Sequence, residues 1–208
     1  NPNFRGIRDE LAYREGEFPL KGTSEQKAYG DGFRSGFALL EEFNLTYDTN
    51  VYPENLLALK DLALAFPNTT IILDHLGCPT SDQSNQQYEK GSMKMWKPII
   101  KELADSCPNV NIKLSGLGMP VFGLGFENHP EPPTSNELAE AWKPFIEHCI
   151  DCFGVNRCMF ASNFPVDKVS TGYTQLYNAF KIIVQDMPVS DKKKLFHDNA
   201  ARIYKLEV

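Results

Sequence analysis

The sequence predicts an α/β protein built on a parallel sheet. Three observations carry this. Five short apolar runs are rich in β-branched residues, each is followed by a stretch of helical spacing, and polar residues gather at the carboxyl end of every run. Sequential parallel strands need crossover helices, and the alternation supplies one after each strand. Pattern alone leaves open whether the sheet is open or part of a barrel.

Phe4 to Arg8 reads as the first strand. Phe33, Phe37, Leu40 and Phe43 recur at helical intervals and form the buried stripe of a helix ending near Asn44. Leu45 to Val51 is the second strand, and Pro53 opens a helix through Leu56, Leu59, Leu62 and Ala63 that Phe66-Pro67 closes. The third strand, Thr70 to Asp74, ends at His75-Leu76-Gly77-Cys78-Pro79, and a polar loop follows. Trp96, Ile99, Ile100 and Leu103 stripe the next helix, before a turn at Cys107-Pro108-Asn109 and a fourth strand from Val110 to Ser115. Gly116 to Pro133 is the longest irregular stretch, and loops of that length are often functional lids. A helix from Ser135 to Cys152 buries Leu138, Trp142, Phe145, Ile146 and Cys149, with Gly154 suited to its exit. The fifth strand, Arg157 to Ala161, runs into Ser162-Asn163-Phe164-Pro165-Val166-Asp167. Two helices finish the chain: Tyr173 to Val184, and one that Ser190 can cap and that carries Leu195, Ala200, Ile203 and Tyr204. With no internal linker or repeat, residues 1–208 are expected to form one domain.

The 208 residues are 42% hydrophobic and 23% charged, a globular composition that excludes disorder, collagen and coiled coil. No run approaches the roughly 18 apolar residues of a membrane span. A net charge of -6 argues against nucleic acid as a partner, because phosphate binding relies on clustered Lys and Arg. A small molecule is the expected partner. Cys78, Cys107, Cys149, Cys152 and Cys158 are odd in number and do not form a disulfide framework, so reduced thiols in a cytoplasmic protein are expected. Cys149-x-x-Cys152 falls in a helical pattern with no second pair at zinc spacing, which speaks against a metal or redox pair. Residue 1 is Asn, no leader segment is visible, and the start reads as a cut end.

The strand ends hold Arg8, Tyr47 and Asp48, Asp74 and His75, Lys113 and Ser115, and Ser162 and Asn163. Ligands sit beyond the carboxyl ends of strands in both barrels and open sheets. His75 is the leading candidate, because imidazole serves as general acid, base or metal ligand near neutral pH; the alternative is a histidine hydrogen-bonded in the core. Strand alternation sends Asp74 to the face opposite His75, and His75 is expected to take the inner one. Arg8 can fork onto a substrate carboxylate or pair with Asp9 or Glu10. Lys113, on one strand face with Ser115, can polarise a carbonyl or pair with Asp48. Asn163 can donate or accept a hydrogen bond but cannot act as a base. His129 could visit a site from its loop, whereas His148 and His197 read as helix surface or packing residues. G-x-G-x-x-G after a strand, the P-loop signature and G-x-S-x-G are all absent.

In order, Phe4 to Arg8, Leu73 to Pro79, Asn109 to Gly116, Met159 to Asp167 and Asn199 to Tyr204 resemble the amidohydrolase-related TIM-barrel hydrolases. The nearest branch is that of the sugar lactonases and 2-pyrone-4,6-dicarboxylate lactonase. The resemblance implies a partial (β/α)8 barrel, about the last five βα units of a domain of roughly 250 residues. Relatives carry His-x-His on the first barrel strand, and none occurs here. They also carry Ser-Asp-Trp-Pro after the last strand, where this chain has Ser162-Asn163-Phe164-Pro165. Asn163 cannot take the proton that the relatives' Asp takes, so Asp167 is a candidate substitute base.

By resemblance, water attacks a lactone or ester carbonyl held near His75 and Asn163, while Arg8, Tyr47, Asp48, Lys113 and Ser115 bind the substrate's polar groups. One divalent metal, zinc, is implied for the intact enzyme, with His75 as a ligand only if a His-x-His is supplied. Two further readings stand beside this one: an aromatic-acid decarboxylase, which Arg8 fits equally well, and an inactive fragment or interaction protein whose open strand edges pair with another chain or another copy.

Overall fold

The computed structural model describes residues 3–13, 26–79 and 86–207, with the side chains of residues 86–93 left out. The polar loop expected after Pro79 lies outside the described residues. Five strands are present, β1 (Gly6–Arg8), β2 (Thr46–Thr49), β3 (Ile71–Leu73), β4 (Val110–Leu114) and β5 (Cys158–Phe160), all parallel and paired in sequence order β1-β2-β3-β4-β5. A doubly wound sheet reverses its strand order at a switch point. This one never reverses, so every right-handed crossover places its helix on the same side. That is the wall of a barrel, and the expectation of a partial (β/α)8 architecture stands.

The crossovers are α1 (Asp31–Glu42), α2 (Leu56–Ala65), α3 (Gln86–Ser106) and α4 (Ser135–Phe153); α5 (Tyr173–Ile183), α6 (Val189–Lys193) and α7 (Asn199–Ile203) follow β5. Alternation divides the strands cleanly. Tyr47, Ile71, Leu73, Ile112, Leu114 and Cys158 face the helices and bury with Phe37, Leu59, Trp96, Leu103, Trp142 and Ile146 in the main core. The opposite face carries Ile72 and Met159, and α7 lies across it, with Ile203 buried on both. No described helix is long and apolar enough to cross a membrane.

Local chemistry explains the element ends. Thr134 caps α4 in a reciprocal box with Glu137, a signal one residue ahead of the expected start. Gly154 closes the same helix at φ +71°, with its N–H on the Ile150 carbonyl. The expected Ser190 cap is corrected: α6 opens after Pro188, so Ser190 lies inside the first turn and caps nothing. The long stretch after β4 is ordered by two short 3-10 turns and buries Leu117 and Phe122, so it is packed onto the core.

Candidate active site

The inner face of the strand ends holds a chain of alternating charges. Register aligns Arg8 with Asp48 and Asp48 with Ile72, which puts Asp74 two residues on along the same face. Lys113 Nζ lies 2.5 Å from Asp48 Oδ1 and 3.0 Å from Asp74 Oδ1, and Arg8 Nε lies 3.2 Å from Asp74 Oδ2. Arg8 reaches Glu10 at 3.6 Å with its side chain half exposed, whereas the Asp74 side chain is only 1% exposed. From the C-terminal end, the Tyr204 hydroxyl donates to Asp48 Oδ1 at 2.5 Å. Burial alone pulls the Lys113 ammonium down, but the charges of Asp74, Tyr204 and Asp48 outweigh it and its pKa is raised. Burial also raises the Glu10 carboxyl, against the opposing charge of Arg8. Two buried carboxylates are tolerable here because each has a cation, or a cation and a phenol, on it.

His75 stands just beyond β3, where the chain turns through four left-handed residues, His75, Leu76, Gly77 and Cys78. Trp96 Nε1 donates to the Leu76 carbonyl at 2.7 Å and pins this turn to α3. Strand alternation therefore stops at Asp74, and the expected opposition of Asp74 and His75 is corrected: Asp74 takes the inner face, yet the imidazole still feels Arg8 and Lys113. The ring is 6% exposed, with Nδ1 3.0 Å from Ser115 Oγ. Burial first, then Arg8 and Lys113, lower its pKa to about 4, so the ring is uncharged at neutral pH.

The exit of β4 links His75 to the Asn163 loop. Gly116, at φ +80°, presses so closely on the imidazole that a Cβ there would come within 2.8 Å of Cγ and Nδ1. Two residues on, Gly118 donates its N–H to Asp167 Oδ2 at 3.1 Å, and Asn163 Nδ2 donates to Asp167 Oδ1 at 2.7 Å. Asp167 is fully buried, and burial pushes its carboxyl up to about 6 although both hydrogen bonds oppose this. Each Asp167 oxygen accepts a hydrogen bond inside the protein, which ties the Asn163 amide to the β4 exit. Tyr47 is corrected as well, since it faces the helices, 1% exposed, against Phe37.

Sequence reasoning missed Tyr204, which meets Asp48 across 156 residues with no local signal, and Asp74, which it saw but turned the wrong way. His129 is exposed against Phe126, His148 bonds the Lys97 carbonyl, and His197 pairs with Asp198. Cys149 and Cys152 are free thiols on α4. No three His, Cys, Asp or Glu among the described residues are grouped to hold a metal ion. His75 is one ready donor, but Asp74 is taken by two cations and Asn163 offers only an amide already bonded to Asp167. These residues do not fit zinc by themselves.

Two of the shifted groups, His75 and Asp167, impose opposite pH slopes on stability. The folded pKa of His75 lies below its ordinary 6.5, so the stability it contributes is present above that value and is lost as pH falls toward 4, about 3 kcal/mol. The folded pKa of Asp167 lies above its ordinary 3.8, so its contribution is present below that value and is lost as pH rises through about 6, again about 3 kcal/mol. Between pH 4 and 6 the slopes oppose and the unfolding free energy is expected to be nearly level. Urea unfolding of Asp167→Asn across this window should uncover the His75 slope; a level curve in that variant contradicts the assignment.

An amidohydrolase family model matches residues 1–206. The chain is 35% identical over 204 residues to the uncharacterized protein y4mH of Sinorhizobium fredii, covering 98% of this chain and 62% of that protein. It is 27% identical over 212 residues to an L-fucono-1,5-lactonase of Burkholderia ambifaria, covering 100% of this chain and 63% of that enzyme. An amidohydrolase structure from Burkholderia multivorans with bound zinc superposes with a TM-score of 0.79 at 22% identity, over 98% of this chain and 65% of that one. The chain thus spans about 62% of the length of the curated relatives it matches. A family match over nearly every residue, on a sheet wound as a barrel wall with its polar groups at the strand ends, means that this chain belongs to the amidohydrolase family.

Proposed function

We propose that this chain carries a hydrolytic site for a small polar or acidic lactone, with His75 as the base that activates water. The observation that carries the reading is His75 standing just beyond a strand end, with Nδ1 on Ser115 Oγ, beside the frame in which Arg8 and Lys113 hold Asp74. The likeness to an L-fucono-1,5-lactonase supports the reaction class. Water gives a proton to the ring as its oxygen bonds to the lactone carbonyl carbon. The tetrahedral oxyanion collapses, the ring C–O bond breaks, and the imidazolium returns the proton to the departing alkoxide, so the product is a hydroxy acid. Arg8, the half-exposed cation, holds the substrate's carboxylate or the oxyanion, and Asp74 orients it. Lys113 is committed to Asp48 and Asp74 and holds that frame in place. A divalent ion would polarise the carbonyl, but the donor set among the described residues does not fit one.

The test is product analysis with the purified chain on sugar-acid lactones and a hydroxybenzoate. Hydroxy acid released from a lactone, with no carbon dioxide from the benzoate, is the expected result. Carbon dioxide release, or no product from either, overturns the reading.

A further inference from the structure

We infer that Ser115 is a positioning residue that fixes the His75 tautomer, with the proton on Nδ1 donated to Ser115 Oγ and the lone pair on Nε2. For its catalytic consequence this rests on the hydrolytic reading above; for the tautomer it does not. His75 lies in a left-handed turn, not on a strand, so the sheet does not set its ring, and a second element must. The β4 exit does so twice. Ser115, itself 1% exposed, meets Nδ1 at 3.0 Å, and Gly116 abuts the Nδ1 edge so closely that no larger residue fits beside it. That edge is closed to solvent and substrate, and Nε2 is the ring nitrogen that remains. Ser115 is too buried to contact a substrate, which moves it from substrate binding to orientation.

The direction of the proton follows from the charges around the ring. An uncharged imidazole has one N–H, and Arg8 and Lys113, the two cations whose charge it feels, are donors only. In that field a lone pair is favoured over the N–H, whereas a serine hydroxyl accepts as readily as it donates. Nδ1–H to Ser115 therefore satisfies both sides of the ring. The same arrangement suits a group that must take a proton from water, because Nε2, away from Ser115, is then the basic nitrogen.

Long-range proton–nitrogen correlation on the 15N-labelled chain at neutral pH reads the tautomer directly, without turnover. The expected spectrum has a protonated Nδ1 and an unprotonated Nε2 for His75, a mixture of tautomers in Ser115→Ala, and the wild-type pattern restored in Ser115→Thr. If lactone turnover is present, Ser115→Ala should lower kcat about tenfold with KM little changed, the scale of losing an orienting partner. A protonated Nε2 in the wild-type chain, or an unchanged tautomer in Ser115→Ala, overturns the inference. The wild-type spectrum decides even if the alanine variant does not fold. A chain with the expected tautomer and no turnover on any lactone keeps this inference and removes the hydrolytic reading.

Discussion

Replacing Lys113 with Met lowers the unfolding free energy by about 3–5 kcal/mol, the cost of leaving a buried carboxylate without its partner. Lys113 is the only link between Asp48 and Asp74 among the described contacts. Without it, Asp48 keeps only the Tyr204 hydroxyl, and Asp74, almost wholly buried, keeps only Arg8. The ammonium is also stacked 5.5 Å from the Tyr204 ring, so the same substitution loosens α7 from the inner face. Urea unfolding at neutral pH measures the loss. The variant that also carries Asp48→Asn and Asp74→Asn should recover most of it, because neutral amides have no charge to desolvate. A Lys113→Met chain as stable as the parent contradicts the charge frame. Loss of this cation should also let the His75 pKa rise, since Lys113 is one of the groups that hold it down.

The second large effect is on turnover. His75→Gln should lower lactone hydrolysis by about 10²–10⁴-fold, the usual contribution of a general base. The glutamine amide reaches toward the Nε2 position but cannot take a proton. Steady-state rates against a lactone measure it, and a glutamine variant within a few-fold of the parent assigns the base elsewhere. Asn163 is not that group, since its amide nitrogen is given to Asp167.

The order of strands and helices was legible because apolar period switches cleanly between strand and helix along the chain, and because Gly and Pro punctuate the ends. The strand-end location of the site was legible for the same reason. Lys113 and Asp48 meet in the pairing expected as the alternative to carbonyl polarisation, since two opposite charges close to each other at the strand ends have little else to bind. Tyr47 was misread because one residue along a strand reverses the face, and an aromatic beside a carboxylate gives no sign of which way the pair is turned. Asp74 was misread for the opposite reason. The alternation rule holds only on a strand, and the strand ends before the left-handed His75. Nothing near Asp167 in the sequence announces its burial, which depends on a Gly118 N–H contributed from 49 residues away. Tyr204 was visible as a helix residue, and only the return of α7 across the sheet makes it part of the charge frame.

An uncharged His75 that activates water at the strand ends should leave its signature in the pH dependence of kcat/KM for lactone hydrolysis. The rate should hold level from neutral pH downward and fall only near pH 4, where the buried imidazole takes up its proton, with that limb absent in His75→Gln. A limb centred at the ordinary histidine value of 6.5, or one that survives in the glutamine variant, would contradict it.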